Sequence, residues 1–145
     1  MRIGFDAKRA YTNHTGLGNY SRTLLQSLFT HFPEHTYKLY TPKRTSLFSY
    51  EGRNVQPVVP TQVPDRLFPS LWRSWRICDQ LSQQLDLYHG LSNELPYGLH
   101  KRSLRKVVTI HDLLFLHFPE QYPKTDHWVY QRKFRYACHT ADLVI

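Results

Sequence analysis

Three short segments of the chain carry groups that could do chemistry. They are Gly16-Leu17-Gly18, Gly90-Leu91-Ser92-Asn93-Glu94 and His111-Asp112. Each lies after a short apolar run that is typical of a buried β-strand. Together they offer backbone amides, an imidazole, hydroxyl and amide groups, and separate carboxylates.

The glycine segment could bind an anion. Gly16 and Gly18 would let a ligand approach the backbone closely, and the free N–H groups at a helix start favour a group such as a diphosphate. A tight strand-to-helix turn would use the same two glycines for backbone freedom alone. The segment lacks the third glycine of a dinucleotide fingerprint and starts about nine residues after the strand, so NAD binding is disfavoured.

The other two segments have two interpretations each. His111 could donate to a sugar hydroxyl or to a developing negative charge, with Asp112 fixing the orientation of its ring. Alternatively, Asp112 caps the next turn and His111 is a satisfied interior residue. Ser92, Asn93 and Glu94 could hydrogen-bond a polyol, although ordinary turn chemistry produces the same composition and is favoured.

The elements that must position these segments alternate along the chain. A strand at 3–7 precedes a polar loop at 8–15 and, after the glycines, a helix that stops near Pro33. Further strands are predicted at 37–40, 55–59, 86–89, 107–110 and from 142 onward, and further helices from near Pro69 to Leu85 and at 126–141. This alternation predicts a parallel α/β sheet covered on both faces, with the first strand near its middle. Right-handed crossovers would then bring the three segments to one edge of the sheet.

Apolar and sulfur-containing residues add two expectations. The stretch 66–76 could form a membrane-surface face, but aromatic residues at helical spacing favour core contacts for its apolar members. These members are Leu67, Phe68, Trp72 and Trp75. The predicted helix at 126–141 should bury Val129, Tyr130, Phe134, Ala137 and Cys138. Cys78 and Cys138 lie too far apart for a metal-ligand motif or a disulfide framework, so buried free thiols are expected.

Length and charge limit the class of protein. The 145 residues, 41% hydrophobic and 14% aromatic, suffice for one globular domain with a real core. The start has no apolar run long enough for a signal peptide, so a cytoplasmic protein is expected. A net charge of +8 suggests anionic partners, although the densest basic run, 100–106, reads as a solvated loop. The uncapped, strand-like ending suggests the N-terminal part of a larger protein.

Several segments also resemble a known family when taken in order. They are Arg2-Ile3-Gly4-Phe5-Asp6-Ala7, the run Gly16-Leu17-Gly18-Asn19-Tyr20-Ser21-Arg22, Asp86-Leu87-Tyr88-His89-Gly90, Leu95-Pro96, Val108-Thr109-Ile110-His111-Asp112-Leu113, Phe118-Pro119-Glu120 and Ala141-Asp142-Leu143-Val144-Ile145. Together they closely resemble the N-terminal domain of family 4 glycosyltransferases, retaining enzymes with two Rossmann-like domains in the GT-B architecture. The resemblance covers residues 1–145, and Gly-x-Gly-x-Tyr and His-Asp-Leu are its specific parts.

The resemblance implies a fold and a set of roles. The fold would be a three-layer α/β/α domain with a mostly parallel sheet, acting on the acceptor side of a hexosyltransferase of polysaccharide biosynthesis. Gly16 and Gly18 would contact the donor diphosphate, and His111, with Asp112 beside it, would contact the transferred sugar. The residues from the neighbouring segments that would face a glycan or lipid-linked acceptor are Asn19, Tyr20, Ser92, Asn93 and Glu94.

The resemblance also implies what else the reaction needs. The donor is a nucleotide-sugar, and the leaving phosphate would help to deprotonate the acceptor hydroxyl, so no metal or other cofactor is expected. The donor clamp would belong to a C-terminal domain that lies beyond residue 145, so this chain alone is expected to be inactive. Its basic charge is compatible with peripheral attachment to an anionic inner membrane face.

Two other classes compete with this interpretation. A sugar-nucleotide 2-epimerase shares the two-domain architecture and would need acid and base groups, which His111 alone does not exclude. A non-enzymatic basic module would bind an anionic glycan or nucleic acid through exposed aromatic residues among its cations. Nucleic acid is not expected, because the aromatic residues here follow the periodicity of a core.

Overall fold

A computed structural model describes residues 1–81 and 85–145 of the chain, with only the backbone of Lys124. The strands are β1 (Arg2–Asp6), β2 (Thr36–Tyr40), β3 (Val55–Val58), β4 (Leu87–Gly90), β5 (Arg105–Val108) and β6 (Leu143–Val144). The α-helices are α1 (Lys8–Thr12), α2 (Gly16–His31), α3 (Val63–Leu67), α4 (Pro69–Leu71), α5 (Ile77–Leu81), α6 (Leu114–His117) and α7 (Lys124–Thr140). A π-helical segment, Trp72–Arg76, joins α4 to α5, and short 3₁₀ turns lie at Leu99–Lys101 and Pro119–Gln121.

The six strands form one parallel sheet in the order β3-β2-β1-β4-β5-β6. The predicted parallel α/β sheet with the first strand near its middle is therefore confirmed. The register aligns the strand ends, since Asp6 lies opposite both Tyr40 and Gly90, and Gly90 lies opposite Val108. The loops that follow β1, β4 and β5 consequently start at the same edge of the sheet.

Helices cover both faces of this sheet. On one face, Phe5 and Leu39 pack with Leu25 and Phe29 of α2 and with residues of α1. On the other face, Tyr88 and Val108 pack with the π-helical segment, α5 and α7, whose buried members are Trp72, Ile77, Cys78, Leu81 and Ala137. Successive strand residues point to opposite faces, so each strand supplies both cores. The result is a Rossmann-like three-layer fold.

The predicted loop at 8–15 is partly wrong. Residues Lys8–Thr12 form α1, which buries Ala10 and Tyr11 against the sheet. The ring of Tyr11 packs edge-on against Phe48, 5.4 Å between centroids. One helical turn is too short to show a period in the sequence, and its stability comes from this burial rather than from helix propensity.

The region 63–81 differs from the single amphipathic helix that the sequence predicts. It holds α3, α4, the π-helical segment and α5, and the predicted continuation to Leu85 crosses residues outside the described ranges. Trp72 is fully buried, as expected. The prediction that Leu67, Phe68 and Trp75 make core contacts is wrong, because these residues are 58–69% exposed. The wider π turn instead buries the neighbouring Arg73.

The C-terminal elements also depart from the prediction in detail. Helix α7 begins at Lys124, and Val129 and Tyr130 on it are exposed rather than buried. Cys138 is partly exposed, whereas Cys78 is buried, and both thiols are free. Strand β5 ends at Val108, so two further residues separate it from His111. Within the described ranges, no helix is long and apolar enough to cross a membrane.

Candidate functional site

His111 lies where three parts of the chain meet at the carboxyl edge of the sheet. Its Nε2 is 2.8 Å from the carbonyl oxygen of Leu91, and its backbone N–H donates to Oδ1 of Asn93 at 2.9 Å. The ring of Tyr20, on α2, packs edge-on against the imidazole with 4.8 Å between centroids. The structure thus brings the segments at 16–22, 90–94 and 111–112 together, as the sheet topology predicts.

These contacts define the tautomer of His111. A carbonyl oxygen only accepts, so Nε2 carries the proton that it donates to Leu91. No residue that the structure describes bonds Nδ1. In the neutral imidazole, Nδ1 is therefore an acceptor, suited to a sugar hydroxyl rather than to an oxyanion.

Asn93 holds the loop after β4 in place. Its backbone has φ 58°, in the left-handed region that few residues other than glycine and asparagine adopt. Its N–H donates to the Thr109 carbonyl at 2.9 Å, while its side chain receives the His111 N–H. Asn93 thus joins the β4 loop to the β5 loop, which is the turn role that sequence reasoning favoured for this segment.

Gly90 makes the same loop possible. A Cβ atom at Gly90 would overlap the carbonyl oxygen of Glu94, because the chain folds back directly over the end of β4. That tight return is what points the Ser92, Asn93 and Glu94 segment towards the sheet edge.

A buried polar chain runs behind His111. The Nε2 of His89 shares a hydrogen bond with Oγ1 of Thr109 at 2.9 Å, and the Tyr20 hydroxyl lies 3.2 Å from the same Oγ1. Burial lowers the pKa of His89 to about 4, so its imidazole is neutral near pH 7. Sequence reasoning placed His89 at the end of a strand without a role, because no local pattern connects it to Thr109 or Tyr20.

Asp112 does not position the His111 ring. Its Oδ1 accepts the Leu114 N–H at 3.1 Å, just before α6 begins. Of the two interpretations of Asp112, the structure agrees with the one in which it caps the next turn, and the Leu91 carbonyl is what holds the imidazole. Its carboxylate is exposed and lines the cavity described below.

The glycine segment has a different local structure from the predicted loop. Helix α2 begins at Gly16, so both glycines belong to its first turn. The Gly18 N–H already lies 3.0 Å from the Thr15 carbonyl and 3.2 Å from Oδ1 of Asn13, and a Cβ there would overlap the Asn13 carbonyl. Gly16 faces open space. Diphosphate binding by these amides stays a prediction, and Gly16 is the more accessible of the two.

Asn19 follows them on α2. Its Oδ1 accepts from Nη2 of Arg22 at 2.6 Å, and Nη1 of the same guanidinium donates to the carbonyls of Ala10 and Asn13 at 2.9 Å. Arg22 therefore ties the start of α2 to α1, and Asn19 takes part in that link.

A cavity of about 340 Å³ lies beside this junction. Ser92, Asn93, Glu94 and Asp112 line it, whereas Gly16, Gly18, Asn19, Tyr20 and His111 do not. The remaining walls come from α1, α2, α4, the π-helical segment, α6 and α7. The charged residues on these walls are Lys8, Arg9, Arg73, Asp126 and Lys133.

An ion network centred on the buried Arg73 supplies three of the lining residues of the cavity, Arg73, Glu94 and Lys133. The guanidinium of Arg73 donates from Nε to Oδ2 of Asp6 at 2.9 Å and pairs with Glu94 through Nη2. Glu94 also accepts from Nζ of Lys133 at 2.7 Å. Burial, followed by the charge of Arg73, lowers the pKa of Lys133. Sequence reasoning identified Glu94 but missed the other three members of the network.

One signal in the sequence could have suggested part of this network. Asp6 ends a buried strand, where an ionised carboxylate needs a cation nearby. Nothing local identifies Arg73 as that cation, since it lies 67 residues away in an apolar helical stretch.

In the part of the chain that the structure describes, no three His, Cys, Asp or Glu side chains lie close enough together to bind a metal ion. Comparison with protein-family models, with curated proteins and with solved structures finds no match for this chain.

Proposed function

We propose that this chain is the acceptor-side domain of a retaining glycosyltransferase that moves a hexose from a nucleotide-sugar to a glycan or lipid-linked acceptor. The resemblance of residues 1–145 to the N-terminal domains of family 4 enzymes is the starting point. The Rossmann-like sheet, with its polar loops gathered at the carboxyl edge, is the architecture that such a domain requires.

The observation that carries the proposal is the arrangement around His111. The Leu91 carbonyl, the Asn93 side chain and the Tyr20 ring fix the imidazole, and Nδ1 is left for a ligand. A preorganised acceptor at a sheet edge can orient a hydroxyl of the sugar being transferred without reorganising during the reaction.

The proposal assigns a role to each group of the chain's own residues. His111 accepts a hydrogen bond from the transferred sugar, and the open side of Gly16 at the start of α2 faces the donor diphosphate. The cavity lined by Ser92, Asn93 and Asp112 receives the acceptor. A second domain binds the nucleotide, so transfer needs both domains.

Titration of the ¹⁵N-labelled chain with UDP-glucose and GDP-mannose, followed by NMR, tests the donor half of the proposal. We expect weak binding that is half-saturated at a millimolar nucleotide-sugar concentration or above. A millimolar Kd corresponds to a binding free energy of about 4 kcal/mol. Amide shifts should change at Gly16, Asn93 and His111. His111→Ala should reduce the shifts, whereas the control His117→Ala, on exposed α6, should not.

A transfer assay on a whole protein that contains this chain tests the reaction. Labelled hexose should appear on an acceptor with its anomeric configuration retained. Conversion of the nucleotide-sugar to its epimer without an acceptor would replace the proposal with the epimerase alternative. Absence of shift changes around His111 would remove the donor site.

A further inference from the structure

The cavity at the carboxyl edge has two cations without partners among the residues that the structure describes. Lys8 and Arg9 both line it, from the first turn of α1. Neither side chain has a hydrogen bond or ion pair with any residue that the structure describes. In contrast, the two other cations on the walls, Arg73 and Lys133, are paired with Glu94, and Arg73 also with Asp6.

The environment of Lys8 is electropositive. Its pKa is lowered to about 8 by burial and by the neighbouring charges of Arg73 and Arg9, with a smaller contribution from Lys133. Only Asp6 acts in the opposite direction. A half-buried ammonium surrounded mainly by cations is an unfavourable arrangement for the empty protein, and an anionic ligand at this position would relieve it.

Two carboxylates, Asp112 and Asp126, also line the cavity. Asp112 has Oδ2 uncommitted, since its Oδ1 takes the Leu114 N–H. Asp126 is exposed in the first turn of α7, with only a 3.5 Å contact from the Thr125 hydroxyl. Both carboxylates thus keep oxygen atoms that accept from no residue the structure describes. Together with Ser92, they suit the hydroxyl groups of a polyol.

Aromatic rings complete the cavity. Phe115, Tyr130 and Phe134 line it, and Phe115 packs edge-on against Phe134 with 5.5 Å between centroids. An apolar wall beside a few convergent polar groups is typical of small-molecule sites, and about 340 Å³ is at the small end of the usual range of about 300–1,000 Å³. The cavity therefore suits a compact ligand.

We propose that this cavity binds a sugar that carries an anionic group, a phosphate or a carboxylate, with Lys8 and Arg9 on the anion and Asp112 and Ser92 on the hydroxyls. This rests on the proposed function in one respect: it names the acceptor as an acidic sugar. The binding itself needs no transfer reaction, so it is tested separately from catalysis.

Calorimetry on the chain at pH 7 with four soluble probes tests the chemistry. We expect glucose 6-phosphate or glucuronate to bind at least about 10-fold more tightly than glucose and than inorganic phosphate, since each probe of the second pair lacks one half of the ligand. Equal binding of glucose would overturn the anion site. Equal binding of inorganic phosphate would overturn the sugar site.

Two variants test the residues. Lys8→Met and Arg9→Gln should each weaken binding of the acidic sugar about 10-fold, because each removes one charge-assisted contact. The controls Lys101→Met and Arg53→Gln, at exposed positions outside the cavity, should leave it unchanged. Circular dichroism checks folding; Lys8→Met removes an unfavourable half-buried charge and should fold even where Arg9→Gln does not. Undiminished binding in Lys8→Met would contradict the proposal.

Vesicles distinguish the source of the acidic sugar. Phosphatidylinositol and phosphatidylglycerol vesicles of matched anionic content carry the same charge, but only the first presents a six-membered ring of hydroxyl groups the size of a hexose. Preferential, Lys8-dependent sedimentation with phosphatidylinositol identifies a lipid headgroup. Lys8-dependent binding of glucose 6-phosphate or glucuronate without that preference identifies a soluble acceptor. Failure in both arms overturns the proposal, whatever a transfer assay shows.

Discussion

The two histidines nearest the sheet edge differ in their surroundings. The ring of His111 is half-buried. Its Nε2 donates to the Leu91 carbonyl, and its Nδ1 has no hydrogen bond with any residue that the structure describes. The ring of His89 is 7% exposed, shares a hydrogen bond with Thr109, and packs beside Phe5 with 5.7 Å between centroids. The first ring is partly exposed to solvent, whereas the second is part of the packing of the sheet.

Replacing His111 with alanine tests its role at the residue scale. In a two-domain enzyme that contains this chain, His111→Ala should lower kcat on the order of 100-fold, because it removes a preorganised contact to the transferred sugar. The free energy of unfolding of the chain should fall by only about 1 kcal/mol, because the substitution removes one side-chain hydrogen bond. His117→Ala is the control. Full activity in His111→Ala, or loss of the fold, would make this histidine structural.

His89 should make the fold sensitive to acid. The folded pKa of His89, about 4, lies below the usual histidine value of 6.5, so the unfolded chain takes up the proton first as the pH falls. The free energy of unfolding therefore decreases as the pH falls from 6.5 to 4, by about 3 kcal/mol at most. Urea unfolding at pH 7 and pH 4 should show a smaller loss for His89→Gln than for the parent chain. An equal loss in both would contradict this assignment.

At the scale of elements, the first turn of α2 shows two glycines with different constraints. Gly18 is buried beneath the Asn13 carbonyl, which also accepts from Arg22. Gly16 is exposed with free space around it. A glycine pair that reads as one ligand-binding motif in sequence is thus one packing position and one open position in the fold.

Alanine at each glycine separates these roles. Gly16→Ala should keep or slightly raise the free energy of unfolding, since alanine is favoured over glycine in helices by about 1 kcal/mol. Gly18→Ala should lower it by about 1–3 kcal/mol, because its methyl group must displace the Asn13 backbone. Thermal unfolding measures both. Equal effects of the two substitutions would show that the close contact at Gly18 is not limiting.

On the whole molecule, charge and exposed apolar side chains occur together. The chain carries a net charge of +8. Leu67, Phe68 and Trp75 are exposed around α3 and the π-helical segment, near Arg66 and Arg76. Basic residues beside exposed aromatic side chains are typical of surfaces that attach to anionic membranes.

Liposome sedimentation tests this attachment. The chain should bind vesicles rich in anionic lipid at low salt, with about 1 kcal/mol for each basic residue near the surface, and should dissociate as salt screens the charges. Phe68→Ser with Trp75→Ser should weaken binding, whereas Tyr50→Ser, an exposed aromatic residue elsewhere, should not. Binding that is absent at every salt concentration would remove this prediction.

The sequence by itself determined the strands and their consequences. Apolar runs at the positions of β1, β2, β4 and β5 are local signals, and strand–helix alternation allows few topologies. Their order therefore predicts a parallel sheet and the meeting of the 90–94 and 111–112 segments at its edge. The boundaries moved by one or two residues, because hydrogen bonding rather than hydropathy decides where a strand ends.

Only the tertiary structure decided how the site is built. Arg73 turns inward because the carboxylates of Asp6 and Glu94, which are distant along the chain, pair with its guanidinium. The π-helical turn places the Arg73 side chain on the buried side. The tautomer of His111 depends on a carbonyl 20 residues away. The cations of Lys8 and Arg9 face a cavity because α1 is packed there through Tyr11 and Ala10. Contacts between distant segments leave no periodic trace in a sequence, since each partner alone has the composition of an ordinary loop or helix.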